Sequence, residues 1–247
     1  MDFTKSLLAI FAHPDDETFG AGGLLAHINR AGGRTAVISA TRGEKGKLHL
    51  DIPMAPEELA KLREEELMAA AKILGVSRVH ALTYPDGGLD EQSENEVVKK
   101  LLEIIKEFSP YAILTFGPDG GTGHRDHIAI HKFACRAFQE AQQFGEPPRE
   151  LYFRATPKAV RELRREAAVV SGRKKTAGHY EESKIPLPYS EEDFIAIDVL
   201  PVVHLKNQAA QMHKSQNPKW FLEMPEELKK AFWEKEYYYL AAITKTP

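Results

Sequence analysis

The chain contains a single cysteine, Cys135, so it cannot close an internal disulfide, which agrees with a reducing compartment. It has no stretch of 18 consecutive apolar residues, which argues against a membrane-spanning helix. The start, MDFTKSLLAIFAHPDDE, lacks a basic leading region and a small-residue cleavage site, and the expected location is the cytoplasm. An excess of positive charge is also missing: 33 Lys and Arg stand against 36 Asp and Glu, for a net charge of −3. That balance leaves no reservoir of positive charge for gripping a phosphate backbone along its length, and no nucleic-acid partner is expected. Repeats and low-complexity tracts are absent as well. What remains is ordinary globular usage, 43% hydrophobic and 28% charged over 247 residues, and a single domain over 1–247 is expected.

Strand-length apolar runs alternate with helical patterns. KSLLAIFA (5–12) reads as a strand that ends in His-Pro-Asp-Asp-Glu, and Thr18 to Arg30 reads as a helix. RTAVISA (34–40) is a second strand, Glu57 to Leu74 an amphipathic helix stopped by Gly75, and Val79 to Tyr84 a third strand. A helix over Glu94 to Phe108, a strand over Tyr111 to Phe116, a helix over 126–143 and a strand over Leu151 to Arg154 continue the alternation. The pattern predicts an α/β fold: a Rossmann-like open, mostly parallel sheet with helices on both faces. Regularity then fades. Residues 157–188 begin with a basic helical stretch and turn polar, which reads either as a mobile or interaction-bearing insertion or as a solvated helix and surface loop. Phe194 to Val199 suggests a final strand, and helices are expected over Pro201 to Lys214 and Glu226 to Tyr238.

In an open parallel sheet, ligands bind beyond the carboxyl ends of the strands. His13, Asp15, Asp16 and Glu17 follow the first strand, while His124, Asp126 and His127 follow the fourth, so both clusters should face one crevice. Histidine and carboxylate are the ligand types of a catalytic zinc, which takes three protein ligands and keeps one open position. His13 and Asp16, three apart at a helix start, can converge, and His127 can meet them from the second cluster. A helix-borne alternative uses His127 with His131, because His124, His127, His131 and Cys135 continue along one face. Asp126 has the lesser alternative of a helix N-cap.

The strings AHPDDE and GHRDH resemble the two signatures of the LmbE-like, PIG-L type zinc-dependent deacetylases, which remove acetyl from N-acetylated amino sugars. TRGEKG (41–46), the Arg63-x-x-Glu66 helix, TYPDGGL (83–89) and Lys206, His213, Ser215 and Gln216 extend the similarity over most of the chain. The resemblance implies that His13, Asp16 and His127 bind Zn2+ and that Asp15 is the general base. Zinc polarises an amide carbonyl and acidifies water, yet a carboxylate is still needed to carry the water proton to the departing amine. The resemblance further implies that His124 stabilises the oxyanion or protonates the leaving group, with Asp126 orienting it and holding it cationic. Arg63 and Asp86 match the family's sugar contacts, although Arg63 also reads as a solvated helix charge and Asp86 as a turn residue before Gly87 and Gly88. Glu17 reads as a helix-start or supporting residue. Lys206 and His213, seven apart, fit a structural role nearly as well as a site role. Gly20-Ala-Gly-Gly-Leu is too far into the helix to be a dinucleotide fingerprint, and those glycines instead suit close packing.

The expected activity is zinc-dependent deacetylation of an N-acetylglucosamine derivative or glycoconjugate. Rival readings are an amidase that cleaves a thiol-sugar conjugate, a metallophosphoesterase or metallo-β-lactamase-like hydrolase, and a sugar-binding protein without catalysis. The His-x-His-x-Asp-His string of the lactamase reading is broken by Thr122. The expected partner is a small N-acetylated amino sugar, and the family includes homo-oligomers.

Overall fold

The computed structural model describes residues 1–48, 53–170, 185, 187–216, 230 and 233–244. Strands β1 (Leu7–Phe11), β2 (Thr35–Thr41) and β4 (Ala112–Phe116) are buried along their whole length, as strands covered on both faces must be. With β3 (Arg78–Tyr84) and β5 (Glu150–Ala155) they form five parallel strands in the order β3-β2-β1-β4-β5. The register pairs Leu8 with Ala36 on one side of β1 and with Ile113 on the other. Beyond β5 the sheet adds β7 (Lys235–Ile243), antiparallel to β5, and then β6 (Phe194–Asp198), antiparallel to β7.

The helices follow from the connections. Chain order runs outward from β1 to β3 and then returns across the sheet to β4 and β5. Right-handed crossovers therefore place α1 (Asp16–Arg30) and α2 (Pro56–Ile73) on one face, and α3 (Glu94–Phe108) and α4 (Arg125–Ala141) on the other. α6 (Val203–Met212) packs against α1 and α2, and α3 packs against α4. The reversal of strand order falls between β1 and β4, the position at which two loops diverge and leave a crevice.

Two expectations change. Residues 235–238, the end of the helix expected over Glu226 to Tyr238, belong instead to strand β7, because that strand fills the gap between β5 and β6 and pairs Tyr238 with both Arg154 and Ile195. Of that expected helix, 226–229, 231 and 232 lie outside the described residues. Of the expected insertion at 157–188, Lys158–Val170 is helix α5, and 171–184 lie outside the described residues. Among the described residues no helix is long and apolar enough to cross a membrane.

Candidate active site

The chain leaves β1 at Phe11 and is pinned at Ala12, whose carbonyl accepts the Thr41 amide and hydroxyl. His13, Pro14 and Asp15 then turn into α1. The turn closes on itself, because the Asp16 carboxylate accepts the His13 amide at 2.8 Å. From the other side of the crevice the loop after β4 delivers His124 as the N-cap of α4 and His127 one turn later. Phe116 stacks under the His127 ring at 3.9 Å and forms its apolar wall. Gly120, at φ 64, lets this loop approach closely: a Cβ there would sit 2.8 Å from the His127 Cβ.

Three ligand atoms converge. His13 Nδ1 lies 3.2 Å from His127 Nε2 and 3.5 Å from Asp16 Oδ2, while the other oxygen of that carboxylate, Oδ1, lies 3.4 Å from His127 Nε2. At metal–ligand distances of about 2.0–2.1 Å, the edges of a tetrahedron are about 3.3–3.4 Å, so the set fits a tetrahedral cation with one position open. The protons agree, as their placement follows from the neighbours. His127 Nδ1 donates to the Gly120 carbonyl at 2.9 Å, which leaves Nε2 bare. His13 Nε2 faces Asp126 and Asp86, each at 3.2 Å, which leaves Nδ1 bare. Two bare nitrogens and a carboxylate in contact call for a positive charge among them. Until a cation takes that place a proton does: burial alone would lower His13, but the carboxylates of Asp126, Asp16 and Asp86 outweigh it and hold the ring well above the usual histidine range, so the bare Nδ1 belongs to the neutral ring that would bind a metal. Burial pushes His127 down to about 4.

A second group of donors, His13 with Asp86 and Asp126, has another use. Asp126 also accepts the Gly87 and Leu89 amides, and Asp86 accepts the Lys45 amide. These carboxylates are engaged by N–H donors, the arrangement that fixes a ligating histidine from behind. Asp126 thus faces His13 rather than His124, contrary to the sequence expectation. His124 is exposed and stands 4.8 Å from the His13 ring and 5.0 Å from His127, near enough for a ligand atom to join theirs. Its Nδ1 accepts the Asp126 amide, so the neutral ring carries its proton on Nε2. Partial burial of the ring and the neighbouring His13 lower its pKa, the direction opposite to the one a cationic His124 needs. His131 is turned away, with Nδ1 on the Phe116 carbonyl.

Asp15 adopts φ 107, a conformation that costs a non-glycine residue about 1–3 kcal/mol and persists where surroundings enforce it. Its carboxylate lies 3.4 Å from Arg63 Nη2 and keeps a quarter of its surface exposed. Burial pushes this carboxyl up to about 6 against the pull of Arg63, and the open quarter lets water temper that push.

Arg63 and Asp86 do not present themselves to a sugar. Arg63 is 3% exposed, and its two terminal nitrogens donate to the carbonyls of Pro14 and Gly43. Gly43 has to be glycine, since a Cβ would fall 2.1 Å from the guanidinium. Asp86 is spent on His13 and Lys45. Two features have no local signature in the sequence. Glu17 accepts His213 Nε2 at 2.8 Å across 196 residues of chain. Arg154, near the end of β5, passes its side chain between Gly20 and Gly121 and lines a cavity of about 290 Å³ with Asp119, Arg161 and Tyr189, its guanidinium without a hydrogen-bond or ion-pair partner among the described residues.

The family model of GlcNAc-PI de-N-acetylases (PIG-L) matches residues 8–138, the stretch that carries both loops of the site. A 1D-myo-inositol 2-acetamido-2-deoxy-α-D-glucopyranoside deacetylase of Salinispora arenicola is 30% identical over 98% of this chain and 87% of its own length. Among solved structures, the N,N'-diacetylchitobiose deacetylase of Pyrococcus horikoshii is 22% identical, with a TM-score of 0.69 over 96% of this chain and 84% of that one. The 4-carboxy-2-hydroxymuconate hydratase of Pseudomonas putida also reaches 0.69, at 19% identity over 98% of each chain. These two likenesses show the fold, and a hydratase among them means that the fold does not set the reaction. The family model spans more than half of the sequence and a relative matches along its length, so the chain belongs to the PIG-L family of GlcNAc-PI de-N-acetylases.

Proposed function

We propose that the protein is a zinc-dependent amidohydrolase that removes the acetyl group from an N-acetylated glucosamine derivative. The reading rests on two imidazole nitrogens and the Asp16 carboxylate standing about one tetrahedral edge apart, with Asp15, which is paired with Arg63, next to Asp16 in the chain. His13, Asp16 and His127 hold the metal. When bound, zinc supplies a Lewis acid for the acetamide carbonyl and for water. Asp15 takes the proton of the attacking water and delivers it to the nitrogen as the C–N bond breaks, a contribution of about 10²- to 10⁴-fold. His124 presents its Nε2–H to the oxyanion as a neutral donor. Arg154, whose guanidinium has no hydrogen-bond or ion-pair partner among the described residues, meets the sugar hydroxyls in the role that Arg63 does not fill.

The substrate class comes from the Salinispora arenicola relative, a deacetylase of a 2-acetamido-2-deoxyglucopyranoside, and from the family that the chain belongs to. Cys135 supports the cytoplasm as its location. A homo-oligomer is proposed on the family resemblance alone, and light scattering tests it.

Elemental analysis should find about one zinc per chain, lost in His13→Ala, Asp16→Ala and His127→Ala. Asp15→Asn should keep zinc and lose at least ~10²-fold in kcat. Acetate release should be far faster from N-acetylglucosamine derivatives than from N-acetyl amino acids. Equal rates on the two panels, or no acetate from any sugar, would end the deacetylase reading and leave other chemistry of this fold, hydration included.

A further inference from the structure

Asp15 and Asp16 are adjacent in the chain, yet one faces Arg63 and the other faces His13 and His127. The positive φ of Asp15 parts them. A non-glycine residue keeps such a conformation only under restraint from its surroundings. The Asp15 carbonyl is held by the amides of Thr18 and Phe19, which any helix start supplies. Its amide, however, donates to Glu17 Oε2 at 2.9 Å. The other Glu17 oxygen accepts His213 Nε2 at 2.8 Å and the Thr18 hydroxyl at 2.5 Å.

Three donors thus converge on Glu17. Only an acceptor-only carboxylate satisfies all of them at once, whereas a glutamine would bring a donor of its own. His213 Nδ1 has no partner among the described residues, so the neutral ring carries its proton on Nε2, toward Glu17. His213 is itself anchored. Two residues on, Ser215 donates through both amide and hydroxyl to Glu66 of α2, at 2.7 and 2.6 Å. Glu17 and His213 are both fully buried and out of reach of a substrate.

We propose that Glu17 and His213 are positioning residues: His213 fixes the Glu17 carboxylate, and Glu17 clamps the Asp15 amide so that the base keeps its aim. The inference rests on Asp15 being the base. A misplacement of about 1 Å at a reacting group costs ~10²-fold in rate, which sets the expected size of the effect.

The test uses zinc-loaded full chain with an N-acetylglucosamine derivative, comparing wild type, Glu17→Gln, His213→Leu, His213→Gln and Asp15→Asn. Each variant is measured for kcat, KM, zinc content and amide hydrogen exchange at Asp15. Glu17→Gln and His213→Leu should lose ~10- to 10²-fold in kcat with KM within about twofold and zinc retained. The Asp15 amide should exchange faster in both. His213→Gln, whose side-chain amide can reach the Glu17 oxygen, should recover most of the rate and the protection. Should Glu17→Gln fail to fold, the two His213 variants carry the same comparison. Wild-type kcat in zinc-loaded His213→Leu beside an inactive Asp15→Asn would overturn the clamp and leave the base assignment intact. A fall in kcat with unchanged Asp15 exchange would also overturn it. Near-normal turnover in Asp15→Asn would instead remove the base assignment itself.

Discussion

His13 uses both of its ring nitrogens, and the division of labour explains why carboxylates crowd around it. Nδ1 is aimed at the ligand cluster, and Nε2–H is shared by Asp126 and Asp86, which are themselves fixed by backbone amides. Replacing Asp126 by Asn keeps the volume but swaps one acceptor oxygen for a donor, against a carboxylate that meets His13, Gly87 and Leu89 at once. Asp126→Asn should therefore bind zinc ~10- to 100-fold more weakly while still folding, as read by competition with a chelator. Unchanged affinity would make Asp126 a helix-start residue and nothing more. The convergence of His13, Asp16 and His127 was legible in the sequence because AHPDDE and GHRDH are each local, and because strand ends predict which loops meet. The tasks of Arg63 and Asp86 were not, since they depend on the Pro14 and Gly43 carbonyls and on a ring nitrogen that only folding brings near. The partnership of Glu17 with His213 spans 196 residues and leaves no mark on either neighbourhood.

At the scale of elements, the alternation of apolar runs with helical periodicity places β1 to β6 and most helices within a few residues, because buried parallel strands have no polar face to blur the pattern. β7 escapes that logic. Its residues KEYYYLAAI carry aromatic bulk on both faces, and its strand state is set by the two neighbours it joins rather than by its own period. The glycines of α1 are legible as close packing but not as to what they pack against. Gly23 lies against Val199, the residue after β6, where a Cβ would fall 2.3 Å from Val199 Cγ1. Val199 is fully buried and cannot swing out. Gly23→Ala should therefore destabilise the protein by about 1–3 kcal/mol despite the better helix propensity of alanine, and Val199→Ala in the same chain should recover part of that loss. Denaturant melts of the two variants decide it, and a Gly23→Ala protein as stable as wild type would mean that α1 can slide.

Across the whole molecule, a buried ion pair ties three layers together. Glu236 on β7 accepts Lys206 Nζ of α6 at 2.6 Å, the Gly23 and Leu24 amides of α1 at 2.8 Å each, and the Tyr238 hydroxyl at 2.7 Å. Only the anion accepts from all of these donors. Burial alone would raise the Glu236 pKa, but Lys206, Tyr238 and the Gly23 amide outweigh it and hold the carboxyl below its ordinary value of 4.5. A carboxyl depressed in the folded state contributes stability that is present above its unfolded pKa and is lost as pH falls through the folded one. His213 has the opposite sign. Burial lowers it, Glu17 raises it by more, and its net pKa stands above 6.5, so its contribution is present below that value and fades as pH climbs through the raised one. The melting temperature should therefore decline on both sides of a mildly acidic maximum, the acid limb carrying Glu236 and the alkaline limb His213. Removing Glu236 alone strands Lys206, which is 1% exposed, in the interior. Glu236→Gln should cost about 3–5 kcal/mol, or roughly 6–20 °C in a chain of this size. Glu236→Gln combined with Lys206→Met removes both charges and fills the stem volume, and it should regain much of that loss and shed the share of the acid limb that Glu236 supplies, while the alkaline limb stays. A double variant no more stable than Glu236→Gln, or one whose acid limb is as steep as wild type, would show that the pair is held for its hydrogen bonds to α1 and that its charge is incidental.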